Sequence, residues 1–282
     1  MKAPEAESTP ERPGILGMIG LIFAFSFIWV MTTIIKLTPN AKKRFFKTED
    51  FPWVAEMEAG WEDIRDELAP FLERKGAMDV VPNLQQVEEE EARLTQDDLW
   101  KVMILVGFGV RNEPTLARFP KTAALLDKVP GMTTAMFSIL RDKKHIPPHK
   151  GPFKLLLRYH LALEVPIDPD IPDACRIRVG DEMDTWTPGK SLVFDDTNVH
   201  EVWKDTPIGV RAILFLDFVR PLPWPLSVLN NWAVRCITYL PFIVKLNDRL
   251  KGWEVDHGAE LDALARSARR TKKSKPKAGV TA

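Results

Sequence analysis

The stretch Leu155-Leu156-Leu157-Arg158-Tyr159-His160-Leu161-Ala162-Leu163-Glu164-Val165 carries two interleaved patterns. Leu155, Leu157, Tyr159, Leu161, Leu163 and Val165 fall on one side, and Leu156, Arg158, His160, Ala162 and Glu164 on the other. Successive side chains of a strand point to opposite faces, so this period of two predicts a β-strand. Its second face holds a guanidinium and an imidazole where the interior of a sheet should be.

From about Thr133 onward, short apolar runs are separated by turn signals. Gly180-Asp181 sits between two such runs as a hairpin turn. Pro188-Gly189 turns the chain into Ser191–Phe194, and Val210–Val219 is a last long apolar run interrupted by Arg211 and Asp217. Antiparallel strands with this punctuation predict a mainly β fold, a double-stranded β-helix (a cupin-like jelly roll) over about 133–221. Flanking α-helices are expected at 58–74, where Trp61, Ile64, Leu68, Phe71 and Leu72 recur at helical spacing, and at 119–128, before the stop Val129-Pro130-Gly131. The run Glu88-Glu89-Glu90-Glu91 reads as a solvated helix face or loop, because adjacent carboxylates on a helix point in different directions.

The chain has 282 residues, enough for one sizeable core with appendages. Lys+Arg and Asp+Glu are both 39, so no overall basic field points to nucleic acid. Two cysteines, Cys175 and Cys236, are too few for a disulfide framework or a cysteine-rich metal site.

Residues 13–35 contain no charge, and 15–31 is long and apolar enough to cross about 30 Å of hydrocarbon as a helix. A cleaved signal peptide fits less well: Glu5, Glu7 and Glu11 precede the run, and no small-residue cleavage site follows it. Lys36, Lys42, Lys43, Arg44 and Lys47 follow the span, against Lys2 and Arg12 before it, which places everything downstream in the cytoplasm. The chain then divides into a short leader (1–13), a transmembrane helix (14–36), a basic linker (37–50), a globular domain (51–221), a Trp-rich segment (222–257) and a basic tail (258–282). The Trp-rich segment contains Trp224 and Trp232, broken by Asn230, Asn231 and Arg235, and reads either as an interfacial segment or as a layer packed beneath the domain. The tail, dense in Lys and Arg from Arg266, reads as disordered and drawn to anionic membrane headgroups, or as a simple solubility element.

Of five histidines, His149 lies just before a strand and His200 at the start of another. Two imidazoles suit iron, but a non-haem iron oxygenase ordinarily adds one carboxylate, and the residue two after His149 is Gly151. Spacing alone leaves a metal site and a pair of structural histidines equally open. Arg158 and Arg211 are both due for burial and so need an anion, either an internal carboxylate from Asp195, Asp196 or Asp217, or a bound dicarboxylate.

His149-Lys150-Gly151-Pro152, the strand from Leu157 to Leu163, Gly189-Lys190-Ser191-Leu192-Val193-Phe194-Asp195-Asp196, His200-Glu201-Val202-Trp203 and Arg211-Ala212-Ile213-Leu214 together resemble the aspartyl/asparaginyl β-hydroxylase family, in its order and spacing. The resemblance covers roughly 51–221. It implies iron(II), 2-oxoglutarate and O2, with His149 and His200 as the protein's only iron ligands. That is the arrangement in which a glycine stands at position 151. By position, Arg158 and His160 would lie near the carboxylate of 2-oxoglutarate that meets the metal, and Arg211 and Ser138 would hold its distal carboxylate. His149, His200 and Arg158 are thus the expected catalytic set. Val228-Leu229-Asn230-Asn231-Trp232 after Val219-Arg220-Pro221 further resembles the bacterial lipid A hydroxylase branch. With the anchor and basic tail, this favours a membrane lipid acyl chain, lipid A first and ornithine lipid next, over a protein Asp or Asn side chain. A non-catalytic jelly-roll module binding a membrane or partner is the reading from another class.

Overall fold

The computed structural model describes residues 14–88, 93–238 and 240–274. It begins with a long helix, α1 (Ile15–Lys36), then β1 (Phe45–Phe46), α2 (Trp53–Ala59), α3 (Trp61–Glu73) and α4 (Leu84–Val87). Next come β2 (Trp100–Gly107), β3 (Val110–Arg111), α5 (Glu113–Arg118), α6 (Pro120–Leu126), β4 (Met132–Arg141) and β5 (Lys144–His149). The remaining strands are β6 (Leu156–Glu164), β7 (Cys175–Val179), β8 (Glu182–Thr185), β9 (Ser191–Phe194), β10 (His200–Lys204) and β11 (Val210–Val219). Two helices follow, α7 (Leu226–Ile237) and α8 (Pro241–Ser274).

Among the described residues the strands form a larger sheet, ordered β1-β9-β6-β11-β4-β2-β3, and a smaller one, ordered β5-β10-β7-β8, with every pairing antiparallel. The chain passes back and forth between the two sheets from β4 to β11, which is the double-stranded β-helix. β6 lies between β9 and β11, and its two patterns acquire different neighbours. Leu157, Tyr159, Leu161 and Leu163 pack outward in one cluster with Val54 of α2, Ile64 and Leu68 of α3 and Phe119 between α5 and α6, whereas Ala162 faces the space between the sheets with Ile177, Val202 and Phe215. Full burial of one such leucine is worth about 1.5–3 kcal/mol, so the helical layer contributes much of what holds the larger sheet. The β7–β8 hairpin turns at Gly180, whose φ of +63° is one that glycine adopts without strain.

Three expectations are revised. The larger sheet includes β1 at Phe45–Phe46 and β2 from Trp100, both ahead of the expected start at about Thr133; β1 is only two residues long, and β2 is buried on both faces and so lacks the alternation that reveals a one-sided strand. The expected helix over 58–74 is two, α2 and α3, meeting at Gly60. The basic tail is helical as far as Ser274, so disorder over 258–274 is not what the fold shows. Leu261, Leu264 and Ala265 join the outer core, and buried Arg118 pairs with Glu254 and with Asp262 (2.8 Å), fastening α8 to the domain. Arg118→Met should therefore destabilise the protein by about 1.5–3 kcal/mol, the worth of charge-assisted hydrogen bonds, read as a lower thermal midpoint in detergent. Residues 1–13, Glu89 to Glu91 of the acidic run and 275–282 lie outside the described residues.

Residues 17–36 of α1 form a helix long and apolar enough to cross a membrane. The Trp-rich segment has one packed and one exposed side in and just before α7. Ala233, Val234 and Ile237 pack with Ile28, Met31 and Ile35 of α1, while Trp224, Val228, Leu229 and Trp232 stay exposed.

Candidate active site

His149 ends β5 and His200 starts β10; the antiparallel register of these two strands sets them opposite one another. Their rings lie 4.0 Å apart, inclined by 51°. Each Nδ1 hydrogen-bonds a carbonyl two residues back, His149 to Pro147 (2.8 Å) and His200 to Asn198 (3.1 Å). A carbonyl can only accept, so each Nδ1 carries the proton and each Nε2 keeps its lone pair. Burial, with the Arg158 charge adding to it, pushes the His149 imidazole down to about 4; burial and His149 hold His200 well below its usual value. Both are neutral near pH 7, the state a metal ligand needs. Among the described residues no group of three or more His, Cys, Asp or Glu is placed to hold a metal.

The loop leading into His200 is fixed from beneath by Asp195, fully buried, which pairs with Lys154 and Arg220 and accepts from Thr197 N (3.1 Å) and Oγ1 (2.6 Å). Beside it, Asp196 closes on the other histidine's strand. Gly151 N donates to Asp196 O (2.8 Å), and a Cβ at position 151 would overlap the Asp196 carboxylate. A carboxylate at position 151 is therefore excluded by packing against Asp196. Gly151→Ala should displace Asp196 and weaken iron binding by about 10–100-fold, as losses around metal ligands do, in an anaerobic iron titration.

The two arginines separate. Arg158 on β6 stands directly across from Asp217 on β11, and its Nε and Nη2 donate to the Asp217 carboxylate at 2.9 and 3.2 Å. Nη2 also meets Asp196 (2.9 Å), and the guanidinium lies 4.2 Å from the Phe215 ring centre. Internal carboxylates thus neutralise Arg158, and its burial gives no evidence for a bound anion. Arg211 is different. It is 2% exposed, stacks on Trp186 (4.8 Å), donates only a long bond from Nη1 to Ser138 O (3.4 Å), and its Nε has no partner. Burial pushes it down to about 10, still charged at neutral pH.

His160, two residues beyond Arg158, sits among Phe194 (4.9 Å), Phe215 (5.3 Å) and Trp186 (6.0 Å), with neither ring nitrogen bonded. Burial, then the charges of Arg158 and Arg211, keep it neutral. The Ser138 hydroxyl accepts from Trp100 Nε1 (3.0 Å), which leaves its own proton free to donate. His149, His200, Arg158, His160, Arg211 and Ser138 all line one cavity of about 640 Å³. Thr134 joins them with an unpartnered Oγ1. Each buried polar atom left unpaired costs about 1–3 kcal/mol, so Arg211 Nε, both His160 nitrogens and Thr134 Oγ1 mark a place built to be filled by a polar ligand.

The profile described as Aspartyl/Asparaginyl beta-hydroxylase matches residues 58–221, more than half of the chain. The chain belongs to this family. Within and around it, an ornithine lipid ester-linked acyl 2-hydroxylase of Rhizobium tropici is 36% identical over 273 residues, 93% of this chain and 95% of that protein. Human aspartyl/asparaginyl beta-hydroxylase is 36% identical over 173 residues, 60% of this chain but 21% of the human protein. A prolyl-4-hydroxylase of Pseudomonas putida covers 68% of this chain and all of its own at TM-score 0.34 and 14% identity, too loose a likeness to carry weight. For a member of the β-hydroxylase family, the site contains more than the sequence disclosed. Trp100, Trp186 and Thr134 support or line it from runs that read as plain core. Phe25, Ile28, Trp29 and Thr32 of α1 and Lys245 and Arg249 of α8 line the same cavity, from segments with no chemical signature.

Proposed function

We propose that this protein is an iron(II)- and 2-oxoglutarate-dependent dioxygenase that hydroxylates an acyl chain of a membrane lipid. The observation that carries the reading is the pairing, in one cavity, of two neutral histidines with free Nε2 lone pairs and a buried arginine without a carboxylate partner. His149 and His200 would hold the iron, and neutral imidazole suits that metal. Arg211, with Ser138 beside it, would take the distal carboxylate of 2-oxoglutarate, since a guanidinium fork matches a carboxylate bidentately. His160 would receive the other end of the co-substrate. Arg158 would act through its ion pairs, keeping Asp196 and Asp217 in place beneath the metal side. Bound iron supplies activation of O2, with 2-oxoglutarate oxidised to succinate and CO2 as one oxygen atom enters a substrate C–H bond.

For the substrate, the relative that matches 93% of this chain and 95% of its own length is named for an ester-linked acyl chain of ornithine lipid, which moves ornithine lipid ahead of lipid A. The human relative matches 60% of this chain and 21% of its own length, and protein Asp or Asn is the second reading. The lysines and arginine after α1 support a single-pass arrangement with the domain on the cytoplasmic side.

The test combines two measurements. Purified protein given iron(II), 2-oxoglutarate and lipid should release succinate, which a non-catalytic module would not. Lipid extracts from cells with and without the gene should differ by a species heavier by one oxygen. No oxygenated lipid together with a hydroxylated Asp or Asn peptide would transfer the activity to protein.

A further inference from the structure

The cavity ends at α1. Phe25, Ile28, Trp29 and Thr32 line it, and their spacing of three, one and three residues places them on one stripe of that helix. Between this stripe and the histidines the wall is aromatic: Phe108, Phe153 and Phe242 meet ring to ring at 6.3–6.4 Å. Cations are set around the same space, Arg93, Lys150, Lys245 and Arg249, with Glu88 as their acidic neighbour. A cytosolic co-substrate would need none of the helix stripe. At about 30 Å³ per water-sized group, the ten non-hydrogen atoms of 2-oxoglutarate would fill about half of the 640 Å³.

We propose that α1 is a wall of the substrate site as well as an anchor: a lipid acyl chain slides along the Phe25–Thr32 stripe from the adjoining leaflet into the cavity, with the anionic group of its headgroup, a carboxylate in an ornithine lipid, held by the basic rim. This rests on the hydroxylase reading above for the reaction at the far end, but the route itself rests on the cavity. Depth agrees. At 1.5 Å per residue, Phe25 lies about 16 Å along α1 from Lys36 at the helix end, one leaflet of a hydrocarbon core of about 30 Å. The exposed face of α7, with Val228, Leu229 and Trp232, and Trp224 just before it, lies beside α1 and suits the headgroup boundary, where aromatic side chains anchor. The chain thus keeps its tail among Phe25, Ile28 and Trp29 in the bilayer while its headgroup-proximal carbons reach His149 and His200. Oxidation near the headgroup, insensitive to total chain length, follows from that geometry.

The experiment uses the full-length, iron-loaded protein, supplied with 2-oxoglutarate and O2, in phosphatidylglycerol vesicles that contain ornithine lipid as substrate and are doped with a phosphatidylglycerol bearing a diazirine in its acyl chain. Photolysis and peptide mass spectrometry should place adducts on residues 25–32 and on Phe108 or Phe242. Thr32→Trp, which fills the entrance, should lower those cavity adducts and lipid oxygenation by about 10-fold or more, the scale of a misplaced substrate, while iron content and 2-oxoglutarate binding stay at wild-type levels. Thr33→Trp, on an exposed neighbour outside the lining, should change none of these. Adducts on 25–32 and the cavity phenylalanines without any oxygenated lipid would uphold the lipid route and sink the hydroxylase reading. Oxygenated lipid with adducts confined to other surfaces, or with Thr32→Trp as active as wild type, would overturn the route and leave the hydroxylase reading standing. Repeating the labelling with a diacylglycerol probe, which carries no anionic group, should give weaker cavity adducts; equal labelling would overturn the basic-rim part.

Discussion

His149→Ala should remove iron and turnover together. The variant loses one of the two nitrogens proposed to hold the metal, and the described residues offer no replacement beside it, since Asp196 occupies the space at Gly151 and is committed to Arg158. Disturbing groups behind a metal ligand costs about 10–100-fold in affinity, so loss of a ligand itself should exceed about 100-fold. Iron retained per protein after dialysis, with succinate release measured in parallel, checks this. Folding should survive: His149 is only half-buried, at a strand end, and its one hydrogen bond is to the nearby Pro147 carbonyl. Near-normal turnover would end the metal assignment.

Arg211→Met should separate the co-substrate from the metal. Methionine keeps the stem that lies on Trp186 and removes the buried charge. In the absence of 2-oxoglutarate the variant should be at least as stable as wild type, because an uncompensated buried guanidinium is itself costly. Binding of 2-oxoglutarate should fall by about 30- to 1000-fold, corresponding to about 2–4 kcal/mol for a buried charge pair, while iron affinity is kept. Anaerobic titration of the iron-loaded variant with 2-oxoglutarate measures both. Arg211→Lys should recover part of the loss, because an ammonium restores the charge without the planar fork. Arg158→Met should behave in the opposite way. It strands two buried carboxylates, Asp196 and Asp217, and should destabilise the fold by about 3–5 kcal/mol, visible in thermal unfolding before any ligand is added.

That contrast shows where sequence reading reached its limit. Arg158 and Arg211 looked alike in the sequence, two cations in apolar strands. The register of β6 against β11 put Asp217 opposite Arg158 and left Arg211 across from Leu140 and above Trp186. Charge pairing across a sheet depends on register, and register is set by contacts distant in sequence. Trp100 was hidden for a related reason: a strand buried on both faces is uniformly apolar, and its first residue gives no sign that its indole supports a serine thirty-eight positions later. The helical tail was missed because Lys and Arg dominate its end, while the interactions that order α8 come from Arg118, far away in the chain.

The sequence by itself determined the β-strand period of 155–165, the turns at Gly180 and Gly189, the apolar helix at the N-terminus and the motifs around His149, His200 and Arg211. These are local properties, written in periodicity and in residues with narrow conformational roles. Only the tertiary structure decided that His149 and His200 face one another, that Asp196 excludes a side chain at Gly151, that Arg211, unlike Arg158, has no carboxylate partner among the described residues, and that α1 lines the cavity. Each of these depends on what two distant segments do to one another when packed, and burial, charge compensation and cavity shape do not exist until the segments meet.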